Sequence, residues 1–200
     1  PYWTIVIGDF FAIIVVKQLF GGIGKNFMNP ALAGRAFLFS WPVVMSTWVK
    51  PGFSNAAGIF STADLVTGAT PLASLRAGSI PGEGIGKLFL GGVGGCIGET
   101  SALLILVGFA YLLIRKVISP RIPLVYLGTV AVLTFLFPQG GDRLSWMAAE
   151  VFSGGLMLGA VFMATDYVTS PVTKWGQVIY ALGCGVITVV IRYFGSYVEG

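Results

Sequence analysis

The run Ala102-Leu-Leu-Ile-Leu-Val-Gly-Phe-Ala-Tyr-Leu-Leu-Ile114, closed by Arg115-Lys116, decides the fold. No side chain between Ala102 and Ile114 carries a charge. An apolar helix of that kind belongs in hydrocarbon, and the third span is predicted over Ala102–Ile118. Glu99-Thr100-Ser101 supplies a capping start, and Arg115, Lys116 and Arg121 form a basic turn beyond the end. Working outward, further apolar runs cover Trp3–Phe20, Ala31–Val49, Ile122–Phe137, Ser145 to Ala164 and Trp175–Phe194. The chain therefore reads as an all-α polytopic membrane protein with about six membrane spans. Composition agrees: of 200 residues 56% are hydrophobic and 10% charged, with mean hydropathy +0.87. A soluble domain carries about 25% charged residues. One transmembrane domain over 1–200, a fragment of a longer chain, is expected.

The spans are interrupted in informative places. Asp9 lies inside the first, where a charge costs about 2.5–3.5 kcal/mol; it either faces a packed partner or belongs to an ion path. Gly21-Gly22-Ile-Gly24-Lys25-Asn26-Phe-Met-Asn29-Pro30 cannot continue that helix comfortably. Asn29 before Pro30 reads as a helix start. Gly24-Lys25 is not a phosphate loop, because Leu19 and Asn26 stand where Gly and Ser/Thr are needed. Arg35 lies in the first turn of the second span, and Pro42 predicts a kink. Residues 50–98 form a long connection, and loops of that length are functional or disordered. Gly91–Gly98 resembles a re-entrant segment, and Gly154-Gly155 weakens the fifth span. Thr165-Asp166-Tyr-Val-Thr169-Ser170-Pro171 is a hydroxyl-rich interruption that either lines a pocket or caps two helix ends. Arg192, Tyr193 and Tyr197 are expected at interface depth. The interruptions at Asn26–Pro30 and Thr165–Pro171, each led by a Gly-Gly pair, echo one another. Paired breaks of this kind place binding sites in repeat-built transporters.

Several chemistries are excluded or displaced. There is no histidine, so haem, zinc and imidazole-base chemistry lack their commonest side chain. The only cysteines are Cys96 and Cys184, far short of the four thiolates of an iron–sulfur cluster. No metal site is expected, and redox chemistry would need an organic cofactor. The net charge of +4 is dispersed and gives no argument for nucleic acid. Placing Arg115-Lys116 in the cytoplasm puts the 50–98 connection outside.

Four stretches carry a resemblance: Gly21–Arg35, Asp64–Arg76, Gly94–Leu103 and Phe152–Gln177. Together they resemble the NqrB/RnfD family along nearly the whole chain. Its members are the D subunit of the Rnf electron-transport complex and the B subunit of the sodium-pumping NADH:quinone oxidoreductase. The wording of Gly21–Leu32 and Met163–Pro171 looks more like the Rnf branch. The resemblance implies a urea-transporter-like inverted-repeat fold in a bacterial or archaeal cytoplasmic membrane. It implies an electron-transfer subunit of an ion-translocating ferredoxin:NAD⁺ oxidoreductase, pumping Na⁺ or H⁺. FMN-bearing and iron–sulfur subunits would be its partners.

The resemblance also implies covalent FMN, joined as a phosphoester to Thr70 by a flavin transferase on the extracytoplasmic side. The matching motif is Asp64, Thr67, Gly68, Ala69 and Thr70, with Thr67 where many members have Ser. Gly68 and Ala69 remove bulk beside the hydroxyl, and Pro71 keeps Thr70 out of the α region. Arg76 is a candidate counter-charge for the phosphate. Alone, Thr-Gly-Ala-Thr is what many ordinary loops carry. A second, noncovalent flavin, riboflavin, is implied near Asn26 and Asn29, with Lys25 and Arg35 beside them. Alternatively, Asn29 is only a cap and Asn26 only satisfies broken backbone. Thr165, Asp166 and Thr169 are candidates for a flavin or ion pocket. A channel or solute transporter without redox role is the competing reading, because broken helices suit it equally.

Overall fold

The computed structural model describes residues 2–22, 24–41, 70–82, 84–94 and 100–195, and every regular element among them is helical. Helix α1 (Tyr2–Phe10) runs unbroken into a π-helical stretch, Phe11–Gln18. The wider turn shows where Leu19 N–H donates to Ile14 O. Gly21 and Gly22, both at positive φ, reverse the chain. Asn29 then caps α2 (Pro30–Leu38), accepting from the N–H groups of Ala31 and Leu32 at 2.9 and 3.2 Å. The expected capping by Asn29 is borne out. The expected run to Val49 is not followed by the helix, which stops at Leu38 and tightens through Ser40 N–H to Phe37 O and Trp41 N–H to Leu38 O. Trp41 precedes a proline, which disfavours helical backbone there. Pro42 itself lies outside the described residues.

Two short helices stand within the long connection: α3 (Pro71–Arg76) and α4 (Ile85–Leu90). Gly91, left-handed, ends α4, and the N–H groups of Gly91 and Gly92 both reach Lys87 O. The expected re-entrant segment is described only through residue 94. Ser101 caps α5 (Ala102–Ile114) as expected. Then come α6 (Arg121–Leu136) and α7 (Arg143–Phe152). Asp142 caps α7 by accepting from Ser145 N–H. The chain breaks at Ser153–Gly155 and resumes as α8 (Leu156–Leu158), which passes into π-helical Gly159–Met163 at 65° to α7. Thr173 caps α9 (Lys174–Phe194).

The described helices are shorter than the expected apolar runs. Among the described residues α9, with 21, is alone long and apolar enough to cross a membrane, and the bent α7–α8 pair is a second candidate. Helices α5 and α6 have 13 and 16 residues, fewer than the roughly 20 that a crossing needs. The runs have the right hydropathy, but turns and glycines end the helices sooner. Lys116 at φ 54 stops the third run four residues before Pro120, and Gly154 at φ 66 divides the fifth.

Small residues set the closest approaches. The most extensive helix contact is α6 on α9. A Cβ added at Gly185 would lie 2.7 Å from Thr129 Cβ and 3.2 Å from Tyr126 O. In hydrocarbon, helix association depends on such close backbone packing. The Tyr126 hydroxyl and Thr188 Oγ1 share a 2.7 Å hydrogen bond across the same contact. Gly34 on α2 plays the equivalent part against Gly8 O and Ala12. Gly183, on the exposed face of α9, has open space at its Cβ position. Gly185→Val is therefore expected to destabilise the folded chain by about 1–3 kcal/mol through overpacking. Gly183→Ala should leave it unchanged or gain up to about 1 kcal/mol of helix propensity. Thermal unfolding of the two variants in detergent checks the contrast.

Candidate functional site

Thr70 opens α3 in extended backbone, φ −69 and ψ 155, and Pro71 occupies the first helical position. This is the conformation that a following proline favours. Thr70 lends its carbonyl to Ala73 N–H at 2.9 Å, but its side chain makes no capping hydrogen bond. A threonine in that position ordinarily caps its own helix. Here the half-buried hydroxyl does not cap α3. Asp64, Thr67, Gly68 and Ala69 lie outside the described residues. Arg76 is exposed at the far end of α3.

Directly after Thr70 the chain is anchored. Pro71, Leu72 and Leu75 are buried, and the two leucines join Leu88, Val93, Trp146 and Ala149 in one apolar cluster. Trp146 is fully buried. Its indole N–H reaches the Tyr193 hydroxyl at 3.2 Å, which donates to Phe137 O at 2.9 Å. The turn after α3 also rests on the turn before α7: a Cβ at Gly140 would collide with Gly78 O. Glycine is required there by close backbone approach.

Beneath this seat lies a buried ion pair. Arg192 Nη1 donates to Glu150 Oε2 at 2.8 Å and to Glu150 O at 2.6 Å, and Nη2 donates to Ser153 O at 3.1 Å. Both residues are buried, at 4% and 3% exposure. Arg192, expected at interface depth, points into the protein because a carboxylate on α7 receives it. Sequence reasoning passed over Glu150. The available signal was a carboxylate in the apolar run Trp146–Phe152 and a lone cation in the last span, opposite charges at membrane depth that must meet something.

On the other side of the break a cavity of about 350 Å³ opens between α2, α6, α8 and α9. Arg35, Phe39, Tyr126, Gly155, Met163 and Thr188 are among its lining. The wall is mostly apolar with a few convergent polar groups, the usual form of a cofactor pocket. Asn29 adjoins it: while Oδ1 caps α2, Nδ2 donates to Met163 O at 3.2 Å. The first interruption therefore meets the end of the π-helical stretch that leads into the second, and a π-helical stretch also leads into the first.

Of the other candidates, Arg35 lines the cavity, while Asn26 is buried and donates to Met28 O at 2.9 Å. Lys25 is exposed. Thr165 donates to Val161 O at 2.7 Å, and Thr169 donates to Asp166 Oδ2 at 2.9 Å. Those hydroxyls close the helix end locally, and none of Thr165, Asp166 and Thr169 is among the residues lining the cavity. Asp9 is exposed on α1.

A profile of the NQR2, RnfD, RnfE family matches residues 1–200. The chain is 50% identical over 203 residues to the D subunit of the Na⁺-translocating ferredoxin:NAD⁺ oxidoreductase complex of Acetobacterium woodii, covering 100% of this chain and 59% of that protein. It is 44% identical to the D subunit of the proton-translocating ferredoxin:NAD⁺ oxidoreductase complex of Clostridium ljungdahlii, over 100% of this chain and 62% of the relative. It is 37% identical to the B subunit of the Na⁺-translocating NADH-quinone reductase of Azotobacter vinelandii, over 96% of this chain and 48% of the relative. The chain thus spans about three-fifths of the length of the first two relatives. With an all-helical membrane fold and a family match along its whole length, this chain belongs to the NQR2, RnfD, RnfE family.

Proposed function

We propose that this chain is the membrane electron-transfer subunit of an ion-translocating ferredoxin:NAD⁺ oxidoreductase and that it carries FMN on Thr70. The observation that carries the reading is the Thr70 hydroxyl: unused by its own helix, held in extended backbone, and followed at once by buried anchors. The relatives named as D subunits support the complex.

Attachment needs the half-buried Thr70 hydroxyl to be presented to a second enzyme. Thr70 Oγ would attack the FMN-side phosphorus of FAD, the pyrophosphate P–O bond would break, and AMP would leave. The hydroxyl proton passes to the transferase. Bound FMN supplies one- and two-electron transfer. Thr70 holds its phosphate, Arg76 offers a positive charge to it, and the Leu72–Leu75 anchor limits the arm's swing. A noncovalent flavin fits the cavity beside Asn29, whose 350 Å³ falls within the usual range for ligand pockets. Arg35, Tyr126 and Thr188 would bind it there, and the apolar wall would exclude water. FMN-bearing and iron–sulfur subunits, and an extracytoplasmic position for Thr70 in a cytoplasmic membrane, complete the proposal.

Denaturing-gel fluorescence of the polypeptide, co-expressed with a flavin transferase, tests the covalent flavin. The wild-type band should fluoresce and Thr70→Val should be dark. A dark wild-type band, with the transferase active on a control protein, would instead favour a channel whose path uses the cavity. The noncovalent flavin is tested separately by Gly159→Phe. Gly159 lines the cavity in helical backbone, with open space at its Cβ position. The aromatic ring should weaken retention of extractable flavin by about tenfold or more, roughly 1.4 kcal/mol. Covalent fluorescence should persist.

A further inference from the structure

We infer that the buried Glu150–Arg192 pair is the positioning element of the flavin arm, holding the surface on which Leu72 rests and placing a fixed charge pair beneath it. This rests on the proposed flavin at Thr70 and goes beyond it by naming what holds the attachment point.

The geometry runs from the guanidinium outward. Helix α7 ends at Phe152, inside an apolar surround, and its last carbonyls have no helical partner. Arg192, reaching over from α9, fills that role by donating to the carbonyls of Glu150 and Ser153. A cation at a helix C-terminus is favourable in its own right. The chain then turns at Gly154, with φ 66. A Cβ at Gly154 would collide with Leu72 Cδ1 and would stand 3.6 Å from Arg192 Nη2. Leu72 and the guanidinium therefore flank the same glycine, and Leu72 is two residues from Thr70.

A packing role alone does not require ions. Buried pairs are often replaceable by apolar side chains without loss, because desolvation offsets most of the attraction. The pair does bring a charge that the protein can feel. Arg stays protonated at any working pH, so neutralising Glu150 leaves a bare cation under the arm. Reduction adds negative charge to a flavin, and a bare cation nearby favours that state. Positioning by charge thus predicts a sign, which a merely structural contact does not.

The test uses the intact complex with wild-type Thr70 and three variants. Glu150→Gln keeps the shape and leaves both carbonyl bonds to Arg192. It should raise the midpoint potential of the covalent flavin. Adding Arg192→Met to it should bring the potential back toward the wild-type value. Gly154→Ala keeps both charges but sets a Cβ against Leu72, at van der Waals distance from Arg192 Nη2 and in left-handed backbone, and should speed amide exchange across residues 72–76 by about tenfold or more. Unchanged potentials in Glu150→Gln, with covalent fluorescence intact, would overturn the charge role. Unchanged exchange in Gly154→Ala would overturn the seat. If the wild-type band carries no flavin, the reading of Thr70 fails by itself. The seat is then decided by exchange alone, in Gly154→Ala and in the Glu150→Gln, Arg192→Met double variant.

Discussion

Backbone groups cut loose by a broken helix must find partners inside the protein when no water is available. The arrangement of this chain follows from that constraint. At three of the breaks among the described residues, the closure is made by a side chain that is polar where its surroundings are not. Asn29 closes the first, satisfying two N–H groups of α2 and one carbonyl of the π-helical stretch opposite. Arg192 closes the second from a different helix. At the third, Thr165 returns to Val161 O, Asp166 holds Thr169, and Thr173 caps the helix that follows. Each closure costs a polar group the chance to do something else. That is why Thr165 and Thr169, attractive as ligands in the sequence, are turned inward on their own segment.

Two of these closures also join elements that are distant in the chain. The Asn29 amide ties α2 to Met163, and Arg192 ties α9 to the end of α7. Small residues then let the helices approach: Gly34 against Gly8, and Gly185 against Thr129. The stacked rings of Phe11 and Phe37, 4.1 Å apart, hold the first of those contacts from one side. The π-helical stretches sit immediately before the first and third breaks. A widened turn frees carbonyls at its end, and such turns recur near functional sites.

Much of this was legible from local chemistry. Asn-Pro announced the start of α2, Ser101 the start of α5, and Gly154-Gly155 the fracture of the fifth apolar run, because capping and glycine conformations are decided by a few neighbouring residues. The extended backbone of Thr70 followed from Pro71 for the same reason. What stayed hidden is pairwise. Glu150 and Arg192 are 42 positions apart, and nothing local announces that one receives the other. Hydropathy overstates helix length, since it marks where a chain tolerates hydrocarbon and not where its hydrogen bonds end. The cavity was hidden too: Arg35, Tyr126 and Thr188 stand on three helices, and only packing brings them together.

The break at Gly154-Gly155 is where the two candidate flavin sites come closest in the chain. Gly154 faces Leu72 and the arm that begins at Thr70, while Gly155 lines the cavity. The same division appears on α9, where Thr188 and Ile191 face the cavity and Arg192, the next residue, faces the seat. One irregular turn and one helix thus separate the half-buried Thr70 segment from the cavity. A continuous helix could not do this, because its carbonyls would be paired within it and not free for Arg192. On the proposed reading, the break fixes the separation between two redox sites with a buried charge pair set at the boundary. A change of charge on either side would then be felt through Arg192 and Glu150, the groups that also keep the boundary folded.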